Sequence, residues 1–101
     1  MKCIDLERRF PQYKLGYEDP AFQGTRDPWH KIIECRSGHI CPAGGDFLWA
    51  CTNSTRSHAA QSLRRGETPA RLINDGQDGV NAEFHVKDWK VMFLLMGAKR
   101  R

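Results

Sequence analysis

Arg36-Ser37-Gly38 sits between two short apolar runs, Ile32-Ile33-Glu34-Cys35 and His39-Ile40-Cys41, and this limits the fold more than any other feature of the chain. A tight turn between such runs requires two antiparallel strands side by side. Gly38 suits the left-handed residue of a three-residue loop, although a two-residue Ser37-Gly38 turn satisfies the same sequence. Pro42 has no N–H for a ladder, so the returning strand should end there or follow a sheet edge. Ala43-Gly44-Gly45-Asp46 reads as a second turn, and Phe47 to Thr52 as a third strand. Alternation along that strand sends Phe47, Trp49 and Cys51 to one face and Leu48, Ala50 and Thr52 to the other. Bulk on both sides predicts an interior strand covered on each face.

The C-terminal half repeats the pattern more loosely. Asn53 or Ser54 can cap a helix that runs to about Arg65, with Gly66 as its terminating residue. Arg71 to Asn74 reads as a strand, Asp75-Gly76-Gln77-Asp78-Gly79 as a turn, and Val80 to Val86 as the returning strand. Val80, Ala82, Phe84 and Val86 alternate with polar residues, the signature of a half-buried strand. Asp88 can cap a last helix whose Trp89, Met92, Phe93 and Met96 share one face before Gly97 ends it. Helices with one apolar stripe must bury it on the hairpins. The fold class is therefore α+β: a two-layer sandwich with an antiparallel sheet of about four to five strands and two helices, in the order β-β-β-α-β-β-α. Residues 29–101 form that single domain. Residues 1–28, broken by Pro11, Gly16, Pro20, Gly24 and Pro28, read as an irregular aromatic arm carrying Phe10, Tyr13, Tyr17 and Phe22. If the arm wraps a partner, removal of residues 1–24 should leave thermal stability nearly intact.

At 101 residues the chain is one domain, large enough to fold without a metal or a disulfide. No apolar run approaches the roughly 20 residues of a membrane span, and the N-terminus leads into charge. A cytoplasmic location with Cys3, Cys35, Cys41 and Cys51 reduced is the expectation. The net charge of +4 is unevenly placed: residues 1–53 hold seven Lys/Arg and seven Asp/Glu, whereas residues 54–101 hold nine and five. Arg56, Arg64, Arg65 and Arg71 surround one helix, and Lys99, Arg100 and Arg101 follow the last. Such a field suits a polyanion, because neutralising phosphates releases counterions. Those seven residues are the candidate nucleic-acid contacts.

Cys35, His39, Cys41 and Cys51 lie close in sequence and carry the N and S donors that tetrahedral zinc uses. Strand parity decides whether they meet. A three-residue turn places Cys35, His39 and Cys41 on one face, whereas a Ser37-Gly38 turn separates Cys35 from Cys41. No paired-cysteine knuckle is present, and free cysteine is among the most buried residue types, so core packing is the simpler account and no cofactor is required.

Gly38-His39-Ile40-Cys41-Pro42-Ala43-Gly44-Gly45, then Leu48, Cys51 and His58, resembles the motif of the HNH nucleases. The resemblance implies His39 as general base, Asp46 or Asn53 in place of the usual asparagine, and His58 as a metal ligand in a ββα frame. A second likeness, carried by Asp27-Pro28-Trp29, Cys35 to Ile40, Pro42 to Leu48 and Asp75 to Val80, is to small proteins of bacteria and their phages. It implies a whole natural domain and brings no activity. The resulting expectation is a small non-enzymatic binding protein that associates with nucleic acid through its basic C-terminal half. A protein-interaction module using the arm or a sheet edge, and a degenerate HNH-like nuclease, are the alternatives.

Overall fold

Alternation of apolar and polar residues along six short strands builds one antiparallel sheet, and a computed structural model of the chain describes it for residues 2–101. The strands are β1 (Leu15–Tyr17), β2 (Lys31–Cys35), β3 (Gly38–Gly44), β4 (Phe47–Thr52), β5 (Arg71–Asp75) and β6 (Val80–His85). Their order across the sheet is β1-β2-β3-β4-β6-β5. The first four form a meander, and the chain then crosses by a helix to the far edge before returning beside β4.

Residues paired across strands share a face. One rung, Ile33, Ile40, Ala50 and Ala82, runs through four strands. Beside it, Pro42, Leu48 and Phe84 form a second. Ile33, Ile40, Leu48, Ala50 and Ala82 are fully buried, with Phe84 at 1 % exposure. Each large apolar side chain so placed contributes about 1.5–3 kcal/mol. Three helices cover this face: α1 (Leu6–Arg9), α2 (His58–Arg65) and α3 (Trp89–Met96). They bring Leu6, Ala59, Ala60, Leu63, Met92, Phe93 and Met96 into the same core. Among the described residues, the buried side chains of all three α-helices join this core and leave the opposite face of the sheet without an α-helix.

The architecture is the expected α+β layering, with six strands where four to five were anticipated and three helices where two were. Both additional elements lie in residues 1–28, expected to be irregular; Met1 lies outside the described residues. The Asp5 carboxylate accepts hydrogen bonds from the amides of Glu7 and Arg8 and starts α1. β1 pairs with β2 through Leu15 and Ile33. Phe10 and Tyr13 are buried, and their rings pack on Phe93 with centroids 4.8 and 5.0 Å away.

Helix ends follow their local chemistry. Ser57, not Asn53 or Ser54, caps α2 by accepting from the Ala60 amide at 3.1 Å. Its start is later than expected because Ser54 is spent on a local turn with Arg56, and because its carbonyl receives the Thr52 hydroxyl. Gly66 and Gly97 end α2 and α3 in the left-handed conformation, at φ 69° and 71°. Asp88 stands at the N-cap of α3, though its side chain makes no capping bond.

The β2–β3 turn departs from both expected forms. Cys35 pairs with Gly38, Glu34 with His39, and Ile33 with Ile40, so the loop is the two residues Arg36 and Ser37. Gly38 is the first strand residue, at φ 149° and directly against the Cys51 carbonyl, where a Cβ could not fit. β3 also runs past Pro42 to Gly44. Pairing with β2 ends at Ile40, so Pro42 lies where that side of β3 is unpaired, and the register with β4 shifts between Pro42 and Gly44. β4 is interior to the sheet as expected, but α-helices cover only one of its faces. Phe47 on the other face is 43 % exposed.

Candidate metal centre on the open face

Two rungs cross the face without an α-helix. The first joins Glu34, His39, Cys51 and Asn81 on β2, β3, β4 and β6, and reaches Asn74 on β5. The second joins Cys41, Trp49, Glu83 and Arg71. Cys41 is therefore the diagonal neighbour of Cys51 and two residues from His39 on the same strand. One nitrogen of His39 and the sulfurs of Cys41 and Cys51 all lie within 4.8 Å of one another. Among the described residues this is the only group of three or more His, Cys, Asp or Glu side chains drawn together so closely.

The three side chains tune one another. The Cys41 thiol and the His39 imidazole both hydrogen-bond the Cys51 sulfur and hold its pKa well below the ordinary thiol range, against the opposing effect of burial. Cys41 is pushed strongly upward, first by that hydrogen bond and then by burial, so it keeps its proton. The bond to Cys51 raises the His39 pKa, and burial partly offsets the rise. Glu18 acts on all three as a nearby negative charge. The two neighbouring donors favour the Cys51 thiolate, the form that binds a soft cation.

The cluster opens into a cleft of about 420 Å³, bounded by Glu18 after β1 and by the Gly76 to Gly79 turn between β5 and β6. Asn74, Gln77, Asp78 and Asn81 complete a polar wall. The turn is anchored where the Thr52 hydroxyl donates to the Ser54 carbonyl and accepts from the Val80 amide, at 2.7 and 2.8 Å. The second rung stiffens the neighbouring floor. Trp49 Nε1 donates to Glu83 Oε1 at 3.1 Å, and Arg71 donates to Oε2 at 3.0 Å.

Of the four candidate zinc ligands, three lie together and Cys35 does not. The two-residue loop turns Cys35 to the core, where it is 5 % exposed and its thiol donates to the Ile33 carbonyl. Burial pushes its pKa up to about 12. The β3–β4 pairing, and not the β2–β3 turn, unites the ligands. The signal that could have found it is the spacing in Cys41-Pro42-Ala43-Gly44-Gly45-Asp46-Phe47-Leu48-Trp49-Ala50-Cys51, whose central glycines mark a hairpin that brings its ends face to face.

The trio His39, Asp46 and His58 is not brought together. Asp46 lies at the tip of the β3–β4 hairpin, five residues from Cys51 and so about 16 Å along an extended strand, within 4.0 Å of His85. His58 is an exposed first residue of α2, the helix packed on the opposite face of the sheet.

The seven basic residues also divide. Arg64 pairs with Asp75 at 2.8 Å, Arg71 with Glu83 at 3.0 Å, and Arg65 with Glu67 at 4.0 Å, while Arg56 is exposed beside them before α2. Lys99, Arg100 and Arg101 lie at the other end of the sheet: Lys99 bonds the backbone of Lys14 and Glu34, and Arg100 bridges to Tyr13. Four strand spacings of about 4.8 Å, from β5 to β2, separate Arg71 from the Lys99 to Arg101 segment by roughly 20 Å.

No protein-family model, curated protein or solved structure matches the chain. Among the described residues, no helix is long and apolar enough to cross a membrane.

Proposed function

We propose that this protein binds a transition-metal ion of zinc's class through His39, Cys41 and Cys51, with the fourth position facing the cleft. The observation that carries the reading is the mutual approach of the three donor atoms to within 4.8 Å. Tetrahedral zinc sets sulfur about 2.3 Å and nitrogen about 2.0 Å from the metal, which places ligand atoms about 3.5–3.8 Å apart. Closing the present triangle by about 1 Å needs only small side-chain rotations on two paired strands. Two soft sulfurs and one imidazole select zinc or a similar ion over magnesium or calcium.

Three protein ligands leave one position for water or a donor atom from a bound molecule, the arrangement of reactive zinc sites and not of closed structural ones. The polar wall of Asn74, Gln77, Asp78 and Asn81 supplies hydrogen-bonding groups around such a ligand, and Glu18 at the rim offers a carboxylate for proton exchange. Elemental analysis of protein purified without chelator should find one zinc per chain. His39→Ala, Cys41→Ser and Cys51→Ser should each lose it, and Cys35→Ser should retain it. Metal-free protein that takes up no zinc, or loss of zinc from Cys35→Ser alone, would contradict the reading.

A further inference from the structure

A cleft of about 880 Å³ lies between α3 and the segment that follows Gly97, and shares no lining residue with the cleft of the metal centre. Tyr13 and Trp89 line its floor, and Arg36, Lys90, Lys99 and Arg100 line its rim; no carboxylate side chain contributes. None of these four cations forms an ion pair among the described residues, whereas Arg64, Arg65 and Arg71 all do. Two of the cations rest on rings instead: Lys90 Nζ lies 5.7 Å from the Trp89 centroid, and the Arg100 guanidinium 5.4 Å from that of Tyr13.

The geometry points to this cleft as a binding site for single-stranded nucleic acid, with a base meeting the part-exposed Trp89 ring, which the buried Tyr13 ring backs, and phosphates meeting Arg36, Lys90, Lys99 and Arg100. Aromatic floor and cationic rim are the two components that hold a single strand: stacking, which every base can supply, and neutralisation of successive phosphates. Four cations around one opening exceed what a single phosphate needs, and Arg101 carries the positive track onward. A duplex presents its bases edge-on and cannot use the Trp89 ring.

The test is fluorescence anisotropy with a labelled 12-nucleotide oligothymidylate, an abasic strand of equal length, a duplex and a free mononucleotide. The oligothymidylate should bind at least about fivefold more tightly than the abasic strand, since each stacked base is worth at least about 1 kcal/mol. A Lys90→Ala/Lys99→Ala double variant, with its fold checked by circular dichroism, should bind about tenfold more weakly and lose about 1.4 from the slope of log affinity against log salt. Equal binding of abasic and natural strands, preference for the duplex, a mononucleotide that binds as well as the strand, or an unaffected folded double variant would each overturn the assignment. The abasic comparison uses the unaltered chain and stays decisive if the double variant does not fold. His39→Ala, which tests the metal centre, should leave strand binding unchanged, so the two assignments fail separately.

Discussion

Cys51 and Cys35 belong to the same sheet and titrate in opposite directions. Two hydrogen bonds and the histidine charge favour the Cys51 thiolate, while burial disfavours the Cys35 thiolate and takes its pKa to about 12. Since the thiolate is the reacting form, iodoacetamide should alkylate Cys51 first in metal-free protein at pH 6.5. Cys35 should remain unmodified until the chain unfolds. Peptide mass spectrometry after timed quenching reads both sites, and similar rates at the two would count against the hydrogen-bonded cluster. Saturating zinc should suppress the Cys51 reaction. At this scale the residue types were legible in the sequence: His39, Cys41 and Cys51 stood out as donors. Their company was not, because the choice between a loop of two residues and one of three reverses every side chain on the following strand.

At the scale of elements, the β2–β3 turn and the β4–β6 pairing position the site. Gly38 sits directly against the Cys51 carbonyl at a backbone angle that side chains rarely adopt. Gly38→Ala should destabilise the protein by roughly 3 kcal/mol or more, measured by urea unfolding, and weaken zinc uptake with it. A change under about 0.5 kcal/mol would refute the close approach. The sequence marked Gly38 as special but assigned it to the loop; the cause of its conservation of space lies on β4, which local turn rules do not see. Glu83 joins β4 and β5 through Trp49 and Arg71, and these two donors, Trp49 foremost, hold its pKa below the usual carboxylate value. A depressed carboxylate contributes stability that is present above its unfolded pKa of about 4.3 and is lost as pH falls through the lower folded value. Glu83→Gln should therefore be less stable than the parent at pH 7, with the gap closing towards pH 3. A gap that widens in acid would invert the sign and contradict the assignment.

Over the whole molecule, residues 4–15 are part of the body. Phe10 packs on Phe93 and Trp89, with ring centroids 4.8 and 5.2 Å apart, and Leu6 is fully buried. Phe10→Ala should cost about 3–5 kcal/mol, a large share of the roughly 5–15 kcal/mol that holds a domain folded. Removal of residues 1–24 should abolish the cooperative thermal transition, contrary to what the punctuated sequence suggested. That segment was hard to read because a four-residue helix and a three-residue strand are too short for periodicity, and only tertiary contact defines them. The hairpins and the two later helices, with longer repeats and clear terminating glycines, were legible. The same global arrangement leaves one face of the sheet without an α-helix and puts His39, Cys41 and Cys51 on it. Titration of metal-free protein with cobalt(II), followed by visible absorption, tests that placement most directly. One equivalent per chain should produce intense tetrahedral ligand-field bands together with thiolate-to-metal charge transfer, both absent in Cys51→Ser. Only the weak bands of six-coordinate aqueous cobalt, or an identical spectrum from Cys51→Ser, would contradict a metal centre at this site.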